Sequence, residues 1–168
     1  MTRRTRARQV ALQVLYQDDL NPGGSPALGD ALLVRRLHVP ELVDFARGLV
    51  AGVRRHRAEL DQAIQEAATN WSLHRMAPTD RNVLRLGAFE LLHTDTPRRV
   101  VIDEGVELAK RFGTAHSAPF VNGILDAIKG SGFRVQGSGD KVPGSDQVPP
   151  FPEPRTPNPE PRTLNPEP

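Results

Sequence analysis

Residues 83–92 read Val-Leu-Arg-Leu-Gly-Ala-Phe-Glu-Leu-Leu, and only Arg85 and Glu90 interrupt the apolar run. A helix with so few polar positions has no side to give to solvent, so the stretch predicts a helix buried nearly all round. Thr79 or Asp80 is placed to cap it, with Pro78 just outside. Its neighbours must then be helices that wrap it. Upstream, Leu42, Phe45, Leu49, Val53, Leu60, Ile64 and Ala67 recur at steps of three, four or seven behind Pro40, the spacing of one long amphipathic helix. Apolar residues thin out at Arg54-Arg55-His56-Arg57, where a kink or interruption is expected. Trp71–Met76 reads as an irregular or short helical link.

Further upstream, Ala7, Ala11, Val14 and Leu15 form a stripe that ends near Leu20, before Asn21-Pro22-Gly23-Gly24, and a short helix is expected over 27–37. Downstream, Thr96-Pro97 reads as a cap and first-turn proline for a helix carrying Val101, Gly105, Leu108 and Phe112, which Gly113 ends. Ser117 is expected to cap a last helix whose Phe120, Val121, Ile124, Leu125 and Ile128 face inward. No stretch alternates with period two. The fold class is all-α: six or seven helices in two small subdomains.

Composition changes after Lys129. Of the 39 residues 130–168 only six are apolar, ten prolines lie between Pro143 and Pro168, and Glu-Pro-Arg-Thr-Pro-Asn-Pro (153–159) is followed by Glu-Pro-Arg-Thr-Leu-Asn-Pro (160–166). So few apolar groups do not offset an ordering cost of roughly 1–2 kcal/mol per residue. Residues 1–129 are therefore expected to form the folded domain and 130–168 a disordered Pro/Gly-rich tail, dispensable beyond about 135.

The chain of 168 residues has no cysteine, which excludes disulfides, thiolate metal sites and a thiol nucleophile. It lacks an apolar run of membrane-spanning length and an apolar leader, so a soluble, cytoplasmic protein is expected, with no membrane partner. No Walker loop or dinucleotide turn is present, and the five histidines (His38, His56, His74, His93, His116) show no metal-ligand spacing along the chain. Asp18-Asp19 reads as a solvated helix end. Asp103, Glu104 and Glu107 fit the acid preference of a helix start, with Glu107 facing Arg111. No cofactor, metal or catalytic residue is assigned.

Charge points elsewhere. Net charge is only +2, yet Arg3, Arg4, Arg6 and Arg8 open the chain and no acid precedes Asp18. Clustered guanidinium groups neutralise phosphates and gain from counterion release. Gln13 and Tyr16, further along the same helix, offer an amide and a ring of the kind used on unpaired RNA. By themselves these residues leave open a solubilising terminus.

Four segments read together resemble the bacterial transcription antitermination factor NusB family. They are 3–16 (RRTRARQVALQVLY), 70–91 (Asn70-Trp71, Arg75-Met76-Ala77, Asp80-Arg81, Leu84-Arg85-Leu86, Glu90-Leu91), 97–113 (from Pro97 through Glu104 and Lys110-Arg111-Phe112-Gly113) and 120–125 (Phe120-Val121-Asn122-Gly123-Ile124-Leu125). The resemblance covers about 3–129. It implies an all-α, non-enzymatic RNA-binding protein. Such a protein binds boxA of nascent ribosomal RNA together with the ribosomal protein NusE, in elongation complexes with RNA polymerase. A homodimer that hides the arginine arm is a known alternative state of relatives.

Carried onto this chain, the RNA-facing set is Arg4, Arg6, Arg8, Gln13, Tyr16 and Phe120, and Asp80 is expected to face NusE. Thr5 stands where the family's arm has a basic residue. His116 stands where it often has an acid, which removes a repulsion toward phosphate. Trp71 is expected to anchor packing at the subdomain junction, Gly123 to allow a close helix approach with Asn122 bonded to a neighbouring backbone, and Arg85 to pair with Glu90 or Glu104. A protein-only adaptor, or a stand-alone relative of the NusB-like domain of ribosomal RNA cytosine methyltransferases, is the competing reading. The methyltransferase reaction needs a catalytic domain and a cysteine, and the chain has neither.

Overall fold

The computed structural model describes residues 2–129; the expectations for 130–168 lie outside them. Six α-helices and one short 3-10 turn account for nearly all of these residues, with no strand among them. Helix α1 (Arg3–Leu20) begins where the Thr2 hydroxyl oxygen accepts a hydrogen bond from the Thr5 N–H at 3.1 Å. It stops at Asn21, before the proline-glycine turn. Helix α2 (Pro26–Leu37) opens on a proline and ends at His38, whose left-handed backbone (φ 56°) turns the chain into α3 (Pro40–Ala67).

Helix α3 runs unbroken for 28 residues, about 42 Å. The expected interruption at 54–57 is absent because that polar stretch faces α1 rather than solvent alone. Arg54 Nε donates to Asp18 at 2.6 Å and Arg57 Nη2 to Asp19 at 3.3 Å. The 3-10 turn Leu73–Arg75 leads into α4 (Pro78–His93). Pro78 lies inside α4 as its first residue and Ala77 takes the cap position, two residues before Thr79 and three before Asp80, the caps expected. Every residue from Asn82 to Glu90 is buried, as its apolar run requires.

Helix α5 (Arg98–Phe112) starts after Pro97, which is the cap rather than a first-turn residue. Helix α6 (Ser117–Ala127) is preceded by His116. The buried Ser117 hydroxyl accepts from the Thr114 N–H at 2.9 Å, so it bonds the loop instead of capping α6. Arg98 closes the other end of α6: its guanidinium donates to the carbonyl oxygens of Leu125, Asp126 and Ile128, groups a helix terminus otherwise leaves unpaired.

The two three-helix groups, α1–α3 and α4–α6, share one continuous core, because α4 packs on α1 and α3 as well as on α5 and α6. Two glycines permit that packing. A Cβ on Gly52 of α3 would lie 2.0 Å from the Phe89 ring, and one on Gly87 of α4 would lie 2.8 Å from Leu125. Gly123 faces open space, with nothing within 4 Å of a Cβ there, and Asn122 is exposed, so the expected close approach is not at this pair. Trp71 is 46 % exposed and meets Phe120 edge-on at 5.7 Å; it is a surface ring rather than a buried anchor.

Candidate nucleic-acid interface

The arginine arm is helical from its first residue, and that fixes where each side chain points. Arg4 and Arg8, four apart, lie over the same ring, Phe45 of α3, at 4.9 and 5.2 Å. From there their surroundings differ. Arg4 is exposed and lines a cleft of about 630 Å³ with Arg3, Pro97 and Val100. Arg8 is buried, and its Nε and Nη2 donate to the two carboxylate oxygens of Glu90 at 2.7 and 2.8 Å. Burial by itself would lower the Arg8 pKa, but the hydrogen bond and charge of Glu90, with a smaller contribution from Glu104, reverse this and hold it above the ordinary value. The resemblance implied an RNA-facing Arg8; the fold instead buries its side chain against Glu90. One turn further into the core than Arg4, it becomes the counter-ion of the acid on α4.

Thr5 ties α1 to α5: its hydroxyl donates to Glu104 Oε1 at 2.8 Å. Arg6 is half-buried, with Nη1 donating to Gln9 Oε1 at 3.4 Å. Beyond it, Gln13 and Tyr16 come together in a cleft of about 500 Å³ where α1 meets α2, the start of α4 and the end of α5. Leu12, Gln17, Leu32, Thr79 and Phe112 complete its walls, with the exposed Arg35 and Arg36 of α2 at one side. The Arg111 guanidinium covers the Phe112 ring at 5.7 Å. A third cleft, of about 570 Å³, follows α1 toward its start and adds Lys110 and Arg111.

The structure therefore sets Gln13 and Tyr16 in one cleft and brings to this side of α1 four cations, Arg35, Arg36, Lys110 and Arg111, that the RNA-facing set read from the sequence does not include. Arg35 and Arg36 close the last turn of α2 and Lys110 and Arg111 that of α5. Basic residues at a helix end match the dipole there, and that ordinary explanation hid them. Phe120 is half-buried against Trp71, and Tyr16 has no ring partner among the described residues. Asp80 sits in the first turn of α4 with Oδ1 enclosed and without a hydrogen-bond partner among those residues. His116 is exposed.

Asp19 and Asp61 tie helices together. Asp19 is not a solvated helix end: Arg81 reaches it at 2.6 Å, Asn82 at 3.0 Å and Arg85 at 3.4 Å. Burial pushes its carboxyl up, but the bonds from Arg81 and Asn82 and the charges of Arg85 and Arg81 outweigh that and hold it below the ordinary carboxylate range. Arg85 itself pairs with Asp61 at 2.7 Å, not with Glu90 or Glu104. Glu107 pairs with Lys110 rather than Arg111.

The sequence pattern of the NusB family matches residues 5–129. The chain belongs to the NusB family. It is thereby a transcription antitermination factor and not an enzyme. The transcription antitermination protein NusB of Anaeromyxobacter dehalogenans (strain 2CP-1) is 50 % identical over 135 residues, which cover 76 % of this chain and 90 % of that protein. Among solved structures, NusB of T. maritima is 36 % identical with a TM-score of 0.67, covering 76 % of this chain and 90 % of its own. A crystal structure of antitermination factors NusB and NusE in complex with double-stranded RNA matches at 32 % identity and a TM-score of 0.67, covering 76 % and 96 %. No described helix is long and apolar enough to cross a membrane.

Proposed function

We propose that this NusB-family chain binds boxA-type RNA of nascent ribosomal transcripts jointly with NusE, and so supports elongation by RNA polymerase in the cytoplasm. Residues 1–129 are the working unit. The observation that supports it is the cleft uniting Gln13 and Tyr16 with Arg35 and Arg36. An amide, an open ring and two cations beside one helix suit a single RNA strand: a base stacks, its edge meets the amide, and the phosphates meet the guanidinium groups. Arg4 and Arg6 extend the positive surface toward the start of α1, and Phe120 with Trp71 offers a second stacking surface. Asp80 is the proposed contact to NusE.

The test is a titration of boxA-like RNA, single-stranded and as a duplex, with and without NusE, at two salt concentrations. Affinity for the single strand is expected to exceed that for the duplex, to fall with salt at a slope of about 0.7 per phosphate neutralised, and to tighten with NusE. A protein-only adaptor keeps its NusE affinity and shows no salt-dependent RNA binding. Equal or tighter duplex binding rejects the single-strand reading.

A further inference from the structure

Helices α3 and α4 meet at a cluster whose residues line none of the clefts described above. His56 and Glu59, three residues apart on α3, and His93, the last residue of α4, converge there. The five histidines are scattered in the chain, but the fold brings two of them to one carboxylate. His56 Nδ1 lies 3.2 Å from Glu59 Oε2, and His93 Nε2 lies 3.1 and 3.2 Å from Oε1 and Oε2. The imidazoles are stacked with centroids 3.9 Å apart and planes at 19°, and each has one ring nitrogen beside the Glu59 carboxylate. Phe89 stacks beneath His93 at 5.6 Å and backs the pair with an apolar wall.

We propose that His56, Glu59 and His93 form a binding site for a borderline divalent transition-metal ion of the zinc class. Two imidazoles and one carboxylate are the ligand types that such ions select over magnesium or calcium. Metal–ligand bonds of about 2.0–2.1 Å place tetrahedral ligand atoms about 3.3 Å apart, which is the separation already present between the carboxylate and each imidazole. An ion replaces the protons these groups share, and each neutral ring then carries its N–H on the far nitrogen. The position at the last turn of α4 adds the negative end of a helix dipole. Three protein ligands leave a fourth position for water. Bound there, the ion ties α3 to α4.

The test uses the untagged full chain with zinc, cobalt and magnesium chlorides. Zinc is expected to bind once per chain, tighter than about 10 µM by competition with a chromophoric chelator, and to raise the melting temperature. Cobalt is expected to show the intense visible absorption of a tetrahedral or five-coordinate site, and magnesium to do neither. His93→Ala and, as a second variant that keeps the α4 terminus, His56→Gln are each expected to weaken zinc binding by at least about tenfold. His74→Ala is expected to leave it unchanged. No zinc binding, or zinc binding equal in the parent, His93→Ala and His56→Gln proteins, overturns the proposal and leaves a hydrogen-bonded triad only.

Discussion

Replacing Arg8 separates a residue that touches RNA from one that holds its helix in place. Its guanidinium and the Glu90 carboxylate are 4 % and 3 % exposed and joined by two hydrogen bonds. Arg8→Met keeps the length and the packing on Phe45 but leaves Glu90 charged and buried. Removing one partner of such a pair costs about 3–5 kcal/mol, a large share of the 5–15 kcal/mol typical of a domain. The companion Arg8→Met/Glu90→Leu removes both charges, and a buried pair replaced by apolar groups of similar volume is expected to stay within about 1 kcal/mol of the parent. Glu104 also loses a charge at 3.8 Å, but it is partly exposed and keeps the Thr5 hydroxyl. Urea unfolding followed by circular dichroism at 222 nm supplies both free energies. RNA titration of the stable double variant then supplies the functional answer: unchanged affinity and salt slope for a framework role, a slope shallower by about 0.7 for a lost phosphate contact. A loss below about 1 kcal/mol in Arg8→Met, or a double variant as unstable as the single, would falsify the account of this pair.

Asp19 gives a pH-dependent outcome. Its native pKa lies below the ordinary 3.8, so its contribution is complete above that value and is lost as pH falls through the native one. Asp19→Asn should destabilise by about 2 kcal/mol at pH 7, with the gap to the parent closing below about pH 4 in acid unfolding curves. Gly52→Ala places a methyl group 2.0 Å from the Phe89 ring, an overpacking expected to cost about 1–3 kcal/mol; Gly52→Ala/Phe89→Leu should recover part of it in the same assay. Arg35→Ala/Arg36→Ala should flatten the salt dependence of RNA binding by up to about 0.7 per residue while stability changes by less than about 1 kcal/mol. An unchanged slope removes these two side chains from the interface.

The buried helix was legible because an apolar run with two charged interruptions has one solution, and Asn82–Glu90 adopts it. Partner choice for those charges was not legible. Glu90 meets Arg8, 82 residues earlier, and Arg85 meets Asp61, 24 residues earlier. Nothing local ranks these pairings above the nearer ones. The same limit explains α3, where Arg54 and Arg57 looked like a break until the acids at the end of α1 supplied a charged face to pack on. In the candidate site, Gln13 and Tyr16 were legible from their side-chain chemistry on the opening helix and from the family pattern, whereas Arg35 and Arg36 joined them only because α2 folds back along α1. Gly113 was placed correctly at the end of α5 for an incomplete reason. Its backbone is extended rather than left-handed, and a Cβ there would lie 2.3 Å from the Ser117 hydroxyl.

The burial of Arg8 changes what the opening helix contributes to recognition. A frayed arm of arginines would lose chain and side-chain freedom on binding, at about 0.5–1.5 kcal/mol for each immobilised side chain. Here α1 is already fixed along its length. Thr2 caps it, Thr5 and Arg8 hold its first half to α5 and α4, and Asp18 and Asp19 hold its end to Arg54, Arg57 and Arg81. Between those ties, Gln13 and Tyr16 open onto the cleft with their backbone preset. The cations beside them come from the ends of α2 and α5, so positive charge is spread over the rigid body instead of concentrated on a flexible tip. On this reading, variants that loosen the ties should weaken RNA binding chiefly through the fraction of folded, correctly posed α1. Variants at Tyr16 or Arg35 should weaken it with the fold intact.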